Sequence, residues 1–360
     1  MTDKIKVGLI FGGNSSEYEV SIMSAHNIYE EIDTNKFDVY PMWITNDGYL
    51  ADDADSRRVL DNPKMEVANP HKVANISNIV ELKDRPEIDV FFPIVHGNLG
   101  EDGCLQGLFR VLDKPFVGDD VLAAAVTMDK EMTKILAQRA GVPVAKWIAV
   151  KRFEYNDPDN EKLDYEYVAS QLGSDLFVKP SNQGSSVGVS HVTNEKEYKV
   201  ALAEAFKYDD KVLVEETVHG TEVETAVLGN DKPIVAGVGQ IINAKDSFYT
   251  YENKYDDSTS TLEIPAKLPE GIVEKVRKNA LKVFQATECS GLARIDSMLR
   301  TEDKEVVLTE VNALPGFTNI SMYPKLFEEV GIPYTDLITK LIDYAMERYD
   351  HKKTLLHKHD

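Results

Sequence analysis

Leu292-Ala-Arg-Ile-Asp-Ser-Met-Leu299, Arg300-Thr-Glu-Asp-Lys304 and Glu305-Val-Val-Leu-Thr-Glu-Val-Asn312 read as a strand, a charged turn and a returning strand. Pro315 and Gly316 then break the second strand. Side chains alternate faces with period two, so Arg294 and Asp296 share one face, and Glu310 and Asn312 share one face. If the turn holds an odd number of residues, Arg294 sits near Glu310 and the four polar side chains converge. Asp296, Glu310 and Asn312 offer only oxygen donors, which suit a hard cation such as Mg²⁺ or Mn²⁺. A bridging carboxylate can hold two such ions about 3.5–4 Å apart and clamp a phosphoryl group in transfer. Arg294 beside them would neutralise developing negative charge. A solvated strand face with a surface ion pair would use the same residue types. The returning Glu-x-Asn with its Pro-Gly break makes the pattern longer and more specific than Arg-x-Asp alone.

Elsewhere the chain alternates strand and helix patterns. Residues 4–11 read as a short buried strand, 12–16 as a glycine turn and 17–31 as a helix. That order opens a doubly wound α/β unit with a parallel sheet. The spacing is not the Gly-x-Gly-x-x-Gly fingerprint, so no dinucleotide is expected, although the helix start suits a small anion. Further strands are expected over 37–44 and 88–95. Residues 12–17 and 96–103 follow strand ends and could meet. A helix is expected over 130–140, stopped by Gly141 and Pro143. Leu176-Phe-Val-Lys179 reads as a strand feeding a small-residue loop over 180–188, which can cradle phosphates through backbone N–H groups. It is not a Walker A loop, since a strand at 189–192 follows it. Strands over 211–216 and 225–238, an amphipathic helix over 270–287 and a closing helix over 334–349 complete the pattern. The tail over 351–360 is charged and expected to fray.

At 360 residues the chain can build two or three cores. Its net charge of -21 argues against nucleic acid or an anionic membrane as partner, because both need basic patches. Cys104 and Cys289 are too few for a disulfide framework. No run reaches the roughly 18 apolar residues of a membrane span. With no secretory signal pattern, a cytoplasmic location is expected.

Ala293-Arg-Ile-Asp296 with Glu310-Val-Asn-Ala-Leu-Pro-Gly316 resembles the metal-binding core of ATP-grasp enzymes, and more narrowly of the D-alanine–D-alanine ligase family. Ser15-Ser-Glu17-Tyr-Glu-Val-Ser21, His96-Gly-Asn-Leu-Gly-Glu-Asp-Gly103, Met128-Asp-Lys130 and Gly184-Ser-Ser-Val-Gly188 follow in family order. The likeness runs over roughly residues 4 to 348. It implies an ATP-grasp fold of three α/β domains: a substrate-binding domain over 1–120, a central subdomain over 121–215 and a C-terminal subdomain over 216–348, followed by the tail over 349–360. ATP would lie between the central and C-terminal domains.

The resemblance also implies roles. Glu17 would anchor the ammonium of the first D-alanine, and His96 would lie beside its carboxylate, with Glu101 and Asp102 ordering the loop. Lys130 and Lys179 would contact the ATP phosphates, under a lid containing Ser185 and Ser186. Glu215 would accept from the adenine amino group, although counting back from Gly220 leaves Glu216 one position away. Val218 would offer backbone to the ring, and Glu222 would bind the ribose. Residues 248–255 would form an omega loop over the second-substrate site, in which Lys254 faces the nucleotide and Tyr255 hydrogen-bonds Ser185, which reaches Glu17. Tyr255 points to D-alanine as second substrate, because relatives that use D-lactate carry phenylalanine or histidine there. Ser321 and Met322 would contact the second substrate. Asp296, Glu310 and Asn312 would hold two Mg²⁺ or Mn²⁺, and Arg294 with the Gly316 N–H would stabilise an oxyanion. The family further implies a homodimer. A D-alanine–D-lactate ligase or another ATP-grasp amino-acid ligase is the alternative.

Overall fold

The computed structural model describes residues 3–65, 67, 69–75, 88–243 and 260–356. Lys254 and Tyr255 lie outside the described residues, as do 248–253 of the expected omega loop.

The N-terminal unit contains β1 (Ile5–Gly12), α1 (Tyr18–Glu31), β2 (Phe37–Ile44), β3 (Tyr49–Ala51), α2 (Asp53–Asp61), β4 (Lys72–Asn75), β5 (Val90–Pro93) and α3 (Cys104–Val111). Its sheet runs β4-β3-β2-β1-β5. β1 pairs in parallel with β2 and β5, as the strand–turn–helix pattern predicts. β3 and β4 add antiparallel edge pairings. The reason is local: Thr45-Asn-Asp-Gly48 is too short for a crossover, and Gly48 takes a positive φ of 83°, so the chain turns straight back.

The central stretch comprises α4 (Val121–Met128), α5 (Lys130–Arg139), β6 (Trp147–Lys151), α6 (Arg152–Tyr155), α7 (Tyr165–Leu172), β7 (Leu176–Pro180), β8 (Ser190–Val192), α8 (Glu195–Ala205) and β9 (Lys211–Glu216). Its antiparallel sheet runs β6-β9-β7-β8. Val150, Val178, Val212 and Val214 point to one face and pack on Val168 of α7 and Tyr198 and Leu202 of α8. Period two sends Lys179 and Glu215 to the other face.

The C-terminal stretch holds β10 (Gly220–Gly229), β11 (Ile234–Asn243), β12 (Ser260–Glu263), α9 (Ile272–Ala286), β13 (Gly291–Arg300), β14 (Val306–Asn312), α10 (Met322–Glu329) and α11 (Tyr334–Lys353). Its sheet runs β12-β11-β10-β13-β14, all antiparallel.

Apolar packing cuts across the boundaries expected from sequence. Ala123 of α4 and Ala137 of α5 share a core with Phe284, Ile295 and Leu308 of the C-terminal stretch, not with the central sheet. Leu9 and Phe92 of the N-terminal sheet share another core with Leu228, Phe317, Tyr323 and Leu341. The closing helix expected over 334–349 runs on through Lys353, into the tail expected to fray over 351–360. Tyr349 donates to the Asp113 carbonyl at 2.8 Å, and Arg348 reaches the Phe116 carbonyl at 2.8 Å and Ser290 Oγ at 2.6 Å.

Phe317 is fully buried, with its ring 6.3 Å from Phe92, 5.5 Å from Tyr323 and 6.1 Å from Tyr334. It follows the Pro-Gly break directly, so this packing anchors the site loop. Phe317→Ala should lower unfolding free energy by about 3–5 kcal/mol. The check is a denaturant titration in which the midpoint falls and the slope stays constant.

Candidate active site

The site is built on one face of the C-terminal sheet. Glu224 lies opposite Asp296 across β10 and β13. Across β13 and β14, Arg294 lies opposite Asn312, and Asp296 opposite Glu310. The four polar side chains do share a face, but the expected pairing of Arg294 with Glu310 is shifted by two residues. One residue of the shift arises at the turn, where Leu299 pairs with Val306 in place of Glu305, and one from a bulge between Asp296 and Ser297, which cannot be read from apolar alternation. Arg294 donates from Nε to Asp296 Oδ1 at 2.8 Å and from Nη2 to Asp296 Oδ2 at 2.7 Å. Its Nε is also 3.0 Å from Glu224 Oε2. Burial opposes the guanidinium charge, but Asp296 and Glu224 more than offset it, holding the group well above its ordinary range. Asn312 Nδ2 donates to Asp296 Oδ2 at 2.8 Å, which leaves the amide oxygen as its remaining donor atom for a cation. The set is oxygen-only and fits a hard cation shared with phosphate oxygens. Among the described residues, no group of three or more His, Cys, Asp or Glu is placed to hold a metal alone. Asn312 and a phosphate ligand would therefore have to complete any shell.

α5 supplies the lysines. Asp129 caps it, accepting from the Glu131 and Met132 N–H groups, and also pairs with Lys211 at 2.6 Å. This holds Lys130 at the helix start, where its ammonium donates to the Gln183 carbonyl at 2.5 Å and stands 3.9 Å from Glu310. The small-residue loop thus touches both α5 and the metal-donor face. Ser185 and Ser186 both take positive φ, 50° and 59°, unusual for residues with a side chain. Ser185 is buried, and its Oγ has no hydrogen-bond partner among the described residues. At Gly184 an added Cβ would stand 3.1 Å from Glu17 Oε2, so the loop closes directly onto the N-terminal unit.

His96 is buried. Its Nδ1 lies 3.1 Å from the Leu314 carbonyl, which fixes the proton there, and Nε2 faces Ser24 Oγ at 3.5 Å. Burial lowers its pKa, so it is neutral. Ser24 Oγ and Asn27 of α1 bond the Phe317 backbone N–H and carbonyl, at 3.0 and 3.2 Å. The first unit therefore grips the Pro-Gly break. Gly316 has no room for a side chain: a Cβ would meet Ser321 Oγ at 2.8 Å. Ser321 Oγ accepts from Thr318 N–H at 2.9 Å, and Met322 is buried beside it.

A cavity of about 410 Å³ is lined by Glu17, His96, Lys130, Ser185, Arg294, Glu310, Asn312, Gly316, Ser321 and Met322. Lys179, Ser186, Glu215, Val218 and Glu222, expected at the nucleotide, do not line it. Glu215 is buried on the central sheet with its carboxylate facing two ammonium groups, Lys134 at 3.2 Å and Lys179 at 2.8 Å. Three features escaped the sequence reading. Glu224 was signalled only by its place two residues from Glu222 on one strand. Lys134 was signalled by falling one helical turn after Lys130. The third is the proton on Glu101, whose pKa is pushed up to about 8 by burial and then by the nearby Glu17 charge.

An antiparallel sheet carrying lysine, set against an acidic sheet face and closed by a small-residue loop, is the ATP-grasp architecture. Residues 6–119 match the family model for the D-ala D-ala ligase N-terminus, and 136–343 that for the D-ala D-ala ligase C-terminus. A D-alanine–D-alanine ligase of Lactobacillus gasseri is 99% identical, and one of Lactobacillus acidophilus 77%, each alignment covering 100% of both chains. Among solved structures, the VanG D-Ala:D-Ser ligase from Enterococcus faecalis superposes with a TM-score of 0.81 at 35% identity, covering 95% of this chain and 100% of that one. The D-alanine-D-alanine ligase from Coxiella burnetii gives 0.78 at 32%, covering 98% of each. The chain belongs to the D-alanine–D-alanine ligase family.

Glu101 also sets a pH dependence. Its folded pKa of about 8 lies above that of an unfolded glutamate, so the folded state holds the proton more tightly. Its contribution to stability is full below the unfolded pKa, about 4.3, and is lost as pH rises through about 8. Glu101→Gln should therefore gain stability relative to the parent as pH rises across this window. Parallel melting curves at several pH values read the difference.

Proposed function

We propose that the chain joins two D-alanine molecules through an acyl phosphate made from ATP, releasing ADP and phosphate for peptidoglycan precursor synthesis. The carrying observation is that Glu17, Ser185, Arg294, Gly316 and Ser321, contributed by all three units, line one cavity.

A free carboxylate is a poor acyl donor at neutral pH, and phosphorylation supplies a leaving group. Glu17 holds the first amino acid by its ammonium, and neutral His96 sits at its carboxylate end. Lys130 and Lys179 face the phosphates, and Glu215, Val218 and Glu222 recognise adenine and ribose. The carboxylate attacks the γ-phosphorus, and the second amine, placed by Ser321 and Met322, attacks the activated carbonyl. Arg294 and the Gly316 N–H receive the oxyanion charge, after which phosphate departs. Asp296, Glu310 and Asn312 would hold magnesium or manganese, which supplies charge neutralisation between the phosphates when bound. Ser185 and Ser186 close over the phosphates and exclude water from the mixed anhydride. Lys254 and Tyr255 belong to this reading by family likeness, as do a cytoplasmic location and a homodimer. In keeping with that location, no helix among the described residues is long and apolar enough to cross a membrane.

Mixing protein, ATP, Mg²⁺ and D-alanine should yield ADP and dipeptide in equal amounts. With ¹⁸O-labelled D-alanine, label should pass into released phosphate; unlabelled phosphate would exclude the acyl phosphate. Arg294→Ala should lower kcat by about 10²–10³ while nucleotide affinity changes far less. Tyr255→Phe should cost about 1 kcal/mol in a hydrogen bond and let D-lactate compete as acceptor. An unchanged D-alanine preference in a competition assay would remove Tyr255 from the selectivity argument.

A further inference from the structure

Lys134 is fully buried on α5, one turn beyond Lys130, and its side chain runs beneath the central sheet. Its ammonium lies 3.2 Å from Glu215 Oε1, 3.5 Å from the Ala145 carbonyl and 5.7 Å from the Trp147 ring centre. Lys179 holds the other carboxylate oxygen at 2.8 Å. Lysine is rarely this buried unless it is paired, and burying an ion costs several kcal/mol before any attraction is counted. A neutral side chain of the same length would fill the space without that penalty. The charge therefore calls for an account beyond packing.

The arrangement supplies one. Two ammonium groups share a single carboxylate, so the cluster carries one net positive charge. Without Lys134, Glu215 and Lys179 would form a closed neutral pair, and the Lys179 charge would be spent inside the protein. Lys134 is too deeply enclosed to reach a nucleotide, whereas the Lys179 side chain remains 11% exposed, on the face of the central sheet opposite α7 and α8. Glu215 Oε1 meets the Lys134 ammonium at 3.2 Å, and a carboxylate oxygen with two lone pairs keeps acceptor capacity beside one such partner. We propose that Lys134 is a positioning residue for the nucleotide: it counterbalances Glu215 from behind, which leaves the Lys179 ammonium available to phosphate and the Glu215 carboxylate available as an acceptor. Burial raises the Glu215 pKa and lowers that of Lys134, but the two lysines outweigh burial at Glu215 and keep it ionised.

This rests on the ATP-dependent reading above. The test compares the parent, Lys134→Met and the double variant Lys134→Met/Glu215→Gln. Binding of ADP with Mg²⁺ is followed by calorimetry, and the KM values for ATP and D-alanine are measured separately. Lys134→Met should weaken ADP and raise the ATP KM by about 10- to 100-fold, with the D-alanine KM little changed. The double variant removes the carboxylate that ties up Lys179, frees Lys179 again and keeps a carbonyl acceptor, so ADP affinity should recover to within a few-fold of the parent. It leaves the Lys179 ammonium without a carboxylate, so circular dichroism of both variants checks that each is folded before binding is compared. ADP affinity unchanged in Lys134→Met, or a double variant that binds no better than the single one, would overturn the proposal. If the parent itself formed no ADP from ATP and D-alanine, the functional reading would fail instead, and the calorimetric comparison would still decide the charge argument.

Discussion

A guanidinium removed from water must be matched by anions held close to it, and here that requirement organises the site. Arg294 sits within 3.0 Å of both Asp296 and Glu224 on one face of a sheet that is otherwise strongly apolar. Breaking such a pair leaves an uncompensated buried charge, which is strongly destabilising. Each partner therefore depends on correct register across three strands. A one-residue slip would turn every member to the opposite face, against α9. The polar face can exist only because β10, β13 and β14 are aligned as they are, and the alignment is reinforced by apolar residues packed on the opposite face, among them Val227, Ile295, Leu308 and Val311.

The same logic repeats on the central sheet. Val178, Val212 and Val214 face α7 and α8, while Lys179 and Glu215 face the opposite way. Both sheets thus send charged side chains to one face and apolar ones to the other. Between them α5 carries Asp129, Lys130 and Lys134, which cap the helix, touch the lid and balance the buried carboxylate. Proton placement follows the same economy: beside Glu17, His96 is neutral and Glu101 keeps its proton. Burial is the main cause of both, disfavouring the imidazolium and the carboxylate alike, and the Glu17 charge adds to it at Glu101 while opposing it at His96.

Much of this was legible in the chain. The hairpin, the glycine turn before α1, the lysine-ended strand and its loop all occur where alternation and turn residues place them. What escaped has physical reasons. The turn pairs Leu299 with Val306 in place of Glu305, and the bulge after Asp296 adds one residue more, so pairing shifts by two without a break in the apolar pattern. Lys134 looks like an ordinary solvated lysine until the sheet above it is known. The neighbours of α4 and α5 were not legible either: these helices precede the central sheet in sequence but bury their alanines against α9 and β14. Local pattern says which face is apolar, not which neighbour will cover it. The closing helix runs past its expected end because Arg348 and Tyr349 find carbonyl partners on the N-terminal unit.

That distribution of cores has a mechanical corollary. The first sheet and the last helices are welded through Phe317 and its aromatic neighbours, and α4 and α5 are welded to the C-terminal sheet. The β6-β9-β7-β8 sheet with α7 and α8 has a hydrophobic interior of its own. It joins the remainder through short connectors at 143–146 and 217–219. Among the described residues, this sheet with its two helices is the part whose rotation about those connectors would leave both shared cores intact, a lever beside an anvil.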